Sequence, residues 1–233
     1  MSITTQSMDV SEMSAYPVTR VNQPAGQLLG SSDWQAIPAL DIAQVHARSS
    51  SHQPSTQCRM AWQSEGIHLR FDVADQYVCC RQSQHQGPIC TDSCVEAFLQ
   101  PVPEKGYFNF EINPAGMIHA SYIYDNRRTS TGFEGVSYLS PTQLEQIKLT
   151  PVFDQPFENE ITEPLSWSMT VWIPVSIFED FLGPMGISDQ TRWRGNFYKC
   201  ADASSHPHWL SWQSVGEQLS FHKPETFGSL IFR

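Results

Sequence analysis

An antiparallel β-sandwich in one domain is the fold this sequence predicts, and three observations point to it. Apolar and polar residues alternate in about ten short runs, separated at roughly even spacing by turn residues. Charged residues are only 16 % of the chain while aromatics reach 12 %, with seven tryptophans. That balance fills the space between two stacked sheets better than the seam of a helical bundle. Only one stretch has convincing helical spacing: Val175, Ile177, Phe178, Phe181 and Leu182, stopped by Gly183-Pro184. The expectation is therefore an all-β sandwich of immunoglobulin-like or jelly-roll type with one short helix.

The elements follow in chain order. Residues 1–30 are polar, with scattered Pro and Gly, and read as an N-terminal arm or edge segment; 31–233 read as the single domain. The stretch from Ser49 to Thr56 is a loop by composition. Ile67, Leu69, Phe71 and Val73 share one strand face, and His68, Arg70 and Asp72 the other. From Tyr107 to Asn113, Phe108, Phe110 and Ile112 face inward, while Tyr107, Asn109, Glu111 and Asn113 face a wetter side. Pro114-Ala115-Gly116 turns the chain into another strand from Met117 to Tyr124. Trp167, Met169, Val171 and Ile173 line a strand that Pro174 ends. Strands around Phe197, from Trp209 to Trp212 and from Gly228 to Phe232 complete the set.

Charge narrows the partners. The formal net charge of −10 repels a phosphate backbone, and no dense Lys/Arg cluster offsets it. Nucleic acid and anionic membrane surfaces are thereby disfavoured. No apolar run approaches the ~20 residues of a membrane-spanning helix. Met1 to Asp9 shows neither the basic nor the apolar region of a secretory signal, so a cytoplasmic protein is expected. In such a compartment the six cysteines stay reduced. Cys90 and Cys94 have a C-x3-C spacing with His85 upstream, but no second pair follows. Neither zinc nor a disulfide is expected there. His206 and His208 read as surface residues of a loop.

Sugar recognition needs flat rings for the CH-rich sugar face and planar groups that bond paired hydroxyls. Glu96, Asn109 and Glu111 would supply the second, if their strands are neighbours. Phe221 and His222 on the closing loop, and Trp212 at a strand end, would supply the first. Glu96 and Glu111 could alternatively be the acid and base of a glycoside hydrolase, or solvated strand positions in a structural or partner-binding sandwich. Asp72, Asp75 and Asp92 could join a structural calcium site; no other cofactor is implied.

Four segments then occur in a telling order: Asp92 to Leu99, Tyr107 to Asn113, Arg194 to Lys199 and Phe221 to Phe232. The patterns Asp-x-x-Val-Glu-x-Phe, Arg-Gly-Asn-Phe-Tyr and Phe-x-x-Pro-x-x-Phe-Gly make the chain resemble the family 9 carbohydrate-binding modules. These are commonly appended to secreted glycoside hydrolases such as xylanases. The resemblance implies non-catalytic binding of a carbohydrate, with Glu96 on sugar hydroxyls, polar partners at Asn109, Glu111 and Asn196, and Phe221 as platform. It also marks departures. The family holds its sugar between two tryptophans; Phe221 replaces one, and the segment from Gly87 to Cys90 offers no ring for the other. His85 or Tyr77 would have to supply that wall. Asn109 stands where the family has an arginine.

Overall fold

The computed structural model describes residues 15–233, and the first 14 residues of the expected arm lie outside the described residues. In chain order the strands are β1 Ala15–Arg20, β2 Leu40–Asp41, β3 Gln44–Val45, β4 Ser55–Gln63, β5 Gly66–Asp75, β6 Val78–Cys80, β7 Cys94–Gln100 and β8 Tyr107–Ile112. They continue with β9 Ile118–Arg128, β10 Phe133–Tyr138, β11 Lys148–Thr150, β12 Phe157–Ile161, β13 Leu165–Pro174, β14 Arg192–Cys200, β15 Trp209–Ser211 and β16 Gly228–Phe232. Three short helices, α1 Ser31–Gln35, α2 Pro141–Leu144 and α3 Val175–Leu182, lie among them.

One sheet runs β10-β9-β8-β7-β14-β16 and the other β4-β5-β13-β11. β1 joins them: Ala15 to Val18 pair with β16, and Thr19 and Arg20 with β4. Both pairings are parallel, while every other strand pairing among the described residues is antiparallel, as expected. Within the expected arm, residues 15–20 form this central strand, with Tyr16 and Val18 buried. The period-2 pattern of the first 30 residues is too brief to show it.

The alternation read from sequence sets the core. Ile67, Leu69, Phe71, Phe108, Phe110, Trp167, Met169 and Val171 are all buried in one cluster drawn from both sheets. Each such side chain contributes roughly 1.5–3 kcal/mol through burial. Phe178 and Ile177 of α3 plug one end of this core. Gly183 ends the helix with φ of +81°, a conformation that costs a residue with a Cβ. α2 has a signal that the hydrophobic period misses. Ser140 and Gln143 exchange capping bonds and Pro141 opens the turn.

The expected wet face of the first sheet is not wet. Glu96 and Asn109 are each 2 % exposed and Glu111 is 9 % exposed. Residues 212–227, between β15 and β16, cross over it. They set Val215, Phe227 and Phe221 against Phe98, Tyr107, Ile123 and Tyr198. Lys223 Nζ pins the crossing by donating to the carbonyls of Val215 (2.7 Å) and Gln218 (2.8 Å).

Candidate functional site

Strand pairing builds a polar row across the outer face. Glu96 of β7 lies between Glu111 of β8 and Tyr198 of β14, and Glu111 pairs onward with His119 of β9. One step along, Asn109 pairs with Ser121, and Cys94 with Cys200. Because cross-strand partners share a face, these side chains rise together. Asn109 Nδ2 donates to Glu111 Oε1 at 2.9 Å, and the Asn109 amide oxygen accepts from the Ser121 backbone N–H. The Cys200 thiol donates to Glu96 Oε1 at 3.1 Å.

Above the row is a cavity of about 370 Å³. Glu96 and Glu111 form its floor, Trp209 and Phe221 bring aromatic rings, and Asp202 and Arg48 add polar groups. The Phe221 ring stacks on Tyr198 at 4.0 Å between centroids and 14° between planes. Tyr198 Oη donates to the Phe221 carbonyl at 3.0 Å, which fixes the loop at that residue. Trp209 Nε1 donates to Asp202 Oδ1 at 2.7 Å, so the indole is held by its polar edge.

The electrostatics are one-sided. Burial, then the Glu111 charge beside it, pushes the Glu96 carboxyl well above the carboxylate range. Burial also raises Glu111, but nearby His119 and the Asn109 hydrogen bond hold it lower than its neighbour. Asp202 is raised by burial too. Two carboxyls this close, both raised, favour holding a proton between them rather than two full charges. Together they offer a donor and several acceptors to a polyhydroxyl ligand.

The structure brings together Glu96, Glu111, Phe221 and His222 of the residues chosen from sequence. Asn109 supports the site through Glu111 rather than lining the cavity. His222 turns inward: Nδ1 and Tyr107 Oη are 2.9 Å apart, and burial lowers its pKa to about 3. Two residues need correction. Asn196 is fully buried and spends its side chain on Gln213, donating to its carbonyl and accepting from its N–H. Trp212 packs into the core against Tyr16 and Phe197 rather than on the cavity.

The substitutes for the second wall are elsewhere as well. His85 Nδ1 accepts from the Ile118 N–H, and Tyr77 stacks on His206 at 3.7 Å. Trp209 is the ring that sequence reasoning missed. Trp209 and Trp212 are three residues apart, so one faces each way, and the pairing of Trp209 with Cys200 sends it to the cavity side. His208, expected at the surface, is fully buried with the Lys199 ammonium 2.8 Å from its Nε2. The three aspartates proposed for calcium do not converge. Asp72 pairs with Arg59 and Arg70, Asp75 with Lys199 and His52, and Asp92 accepts from the backbone of Arg81 and Gln82.

A sandwich with buried carboxyls and two aromatic rings around one small cavity has the makings of a binding module. A family model described as carbohydrate-binding family 9 matches residues 29–232, and the chain belongs to that family. No curated protein matches it. The structure of a candidate carbohydrate-binding protein from Bacteroides uniformis is similar at 30 % identity with a TM-score of 0.83. That match covers 94 % of this chain and 99 % of the other. Two structures of a family 9 module from Caldicellulosiruptor kristjanssonii, in complex with glucose and with cellotriose, share the fold. Their identities are 10 % and 11 %, both TM-scores are 0.59, and coverage is 94 % of this chain and 95 % and 93 % of those.

Proposed function

We propose that the chain binds carbohydrate without transforming it, holding a sugar or the end of an oligosaccharide in the cavity over Glu96 and Glu111. The observation that carries this reading is the pair of adjacent buried carboxyls beneath Trp209 and Phe221. Carboxyls with no ion-pair partner among the described residues leave hydrogen-bonding capacity for ligand hydroxyls, and the rings cover the apolar face of a pyranose. A cavity near 370 Å³ is at the small end of the ~300–1,000 Å³ usual for ligand pockets, which suits one or two rings rather than a long chain. A hydrolase would place its two carboxyls on opposite sides of the scissile bond. Here they rise side by side from neighbouring strands on one floor.

Calorimetry against a panel of mono- and oligosaccharides tests the reading. At least one sugar should bind, and Glu96→Ala should weaken it by about tenfold to a hundredfold, from the ~1.5–3 kcal/mol of a hydrogen bond to a charged group. A reducing-sugar assay on the same samples should show no release. Turnover lost in Glu96→Gln with binding intact would favour the hydrolase instead. A panel with neither binding nor turnover would leave a structural sandwich.

A further inference from the structure

Beneath the cavity floor three potential ligand atoms come together that the sequence spacing does not connect. Cys94 Sγ, Cys200 Sγ and a Glu96 carboxylate oxygen all lie within 4.8 Å of one another, and all three residues are buried. Two features of the fold put them there. Cys94 and Glu96 are two apart on β7 and so share a face, and Cys200 of β14 pairs directly with Cys94. The Cys90–Cys94 spacing is thus beside the point, and the partner of Cys94 comes from far along the chain.

The surroundings fit a cation better than they fit three neutral groups. Glu96, Glu111 and Asp202 all border the cavity, and Arg48 is the one cationic side chain lining it among the described residues. None of the three carboxyls has an ion-pair partner among the described residues. Buried carboxyls ordinarily have a charged partner or coordinate a metal. Two sulfurs with one oxygen form a donor set for a soft or borderline divalent ion, and oxygen-preferring calcium would not choose it.

We propose that Cys94, Cys200 and Glu96 form a zinc site under the binding cavity. The separations suit a tetrahedral ion, whose Zn–S bonds are about 2.3 Å and Zn–O bonds about 2.0–2.2 Å. Glu96 and Cys200 also line the cavity, so a fourth ligand enters from that side. Binding displaces the two thiol protons, and the proton held at the Glu96 carboxyl, to solvent, so that Cys94 and Cys200 ligate as thiolates and Glu96 as a carboxylate. The ion would hold the Glu96 carboxylate at a fixed angle with one oxygen free. The site stands whether or not the cavity holds a sugar.

Cobalt is the probe. Chelator-treated, reduced protein titrated with Co²⁺ should develop a thiolate-to-cobalt charge-transfer band that saturates at one equivalent. Cys94→Ser and Cys200→Ser should each abolish it, and Glu96→Gln should shift its ligand-field pattern. No band in folded wild-type protein, or a band that survives both serine changes, overturns the site. Should the serine variants fail to fold, X-ray absorption on zinc-loaded wild-type protein decides: two sulfur neighbours support the site, and an oxygen-only shell refutes it.

Discussion

Lys199 and its neighbours Tyr198 and Cys200 point to opposite faces of β14, and the polar centres they enter are balanced in opposite ways. Lys199 faces the interior, where it meets Asp75 of the second sheet. Its Nζ is 3.2 Å from Asp75 Oδ2 and 2.8 Å from His208 Nε2. His52 Nε2 lies 2.8 Å from Asp75 Oδ1. His208 Nδ1 is 2.9 Å from the His206 carbonyl, which fixes the proton on Nδ1 and leaves Nε2 to accept from the ammonium. Every charge there has a counter-charge. On the outer face Tyr198 and Cys200 border Glu96 and Glu111, where carboxyls meet thiols and amides and, among the described residues, no ion-paired cation. A centre that satisfies itself ties two sheets together; one left short of cations has bonding capacity for a ligand.

The largest expected effect breaks the balanced centre. Lys199→Met leaves Asp75 buried without its ammonium, and removing one partner of a buried pair costs about 3–5 kcal/mol. For a domain of this size the melting temperature should fall by roughly 6–20 °C. Denaturant unfolding showing a loss under about 1 kcal/mol would mean that the pair does not hold the sheets together.

On the other face the cost moves from stability to affinity. Trp209→Ala should weaken sugar binding about tenfold or more, at a smaller cost in melting, because its half-buried ring borders the cavity and an aromatic anchor carries about 1–3 kcal/mol of binding. Trp212→Ala should do the reverse: its half-buried ring packs at the core edge against Tyr16 and Phe197 and away from the cavity, so stability should fall by about 2–4 kcal/mol with sugar affinity intact. Matched effects from the two variants would erase the assignment of one indole to each face.

pH sharpens the contrast through its sign. Glu96 and Glu111 have raised folded pKa values, so the folded state keeps protons that the unfolded chain releases above the ordinary carboxylate range. Their contribution is full below that range and is lost as pH rises through the raised values. Glu96→Gln, in chelator-treated protein, should therefore gain stability relative to wild type as pH climbs. The balanced centre slopes the other way. Burial, then the Lys199 charge, lowers the His208 pKa to about 3. Lys199 and the His52 hydrogen bond, outweighing burial, lower that of Asp75. Both contributions are lost as pH falls, from about 6.5 for the histidine downward. Unfolding curves taken at several pH values with the Gln variant alongside read both slopes; a variant that tracks wild type at every pH would show Glu96 to be unperturbed.

By itself the sequence determined the elements and the side of the strand on which each residue sits. Alternation placed Phe108 and Phe110 in the core and Asn109 and Glu111 on the opposite face, and Pro174 and Gly183 bounded α3, because these are local consequences of strand and helix periods. It also carried Glu96, Glu111 and Phe221 into one site through ordered motifs. What only the tertiary structure decided is the company each face keeps. Nothing local told that residues 212–227 would bury the polar row, that Trp209 rather than Trp212 would turn to the cavity, or that Cys94 would meet Cys200. Those outcomes depend on which strands pair and in what register, and a one-residue shift sends every side chain of a strand to the other face. Asn196 shows the same limit. The Arg-Gly-Asn-Phe-Tyr motif singled it out, but the Gln213 backbone that claims its amide arrives from a loop whose path only the closed sandwich fixes.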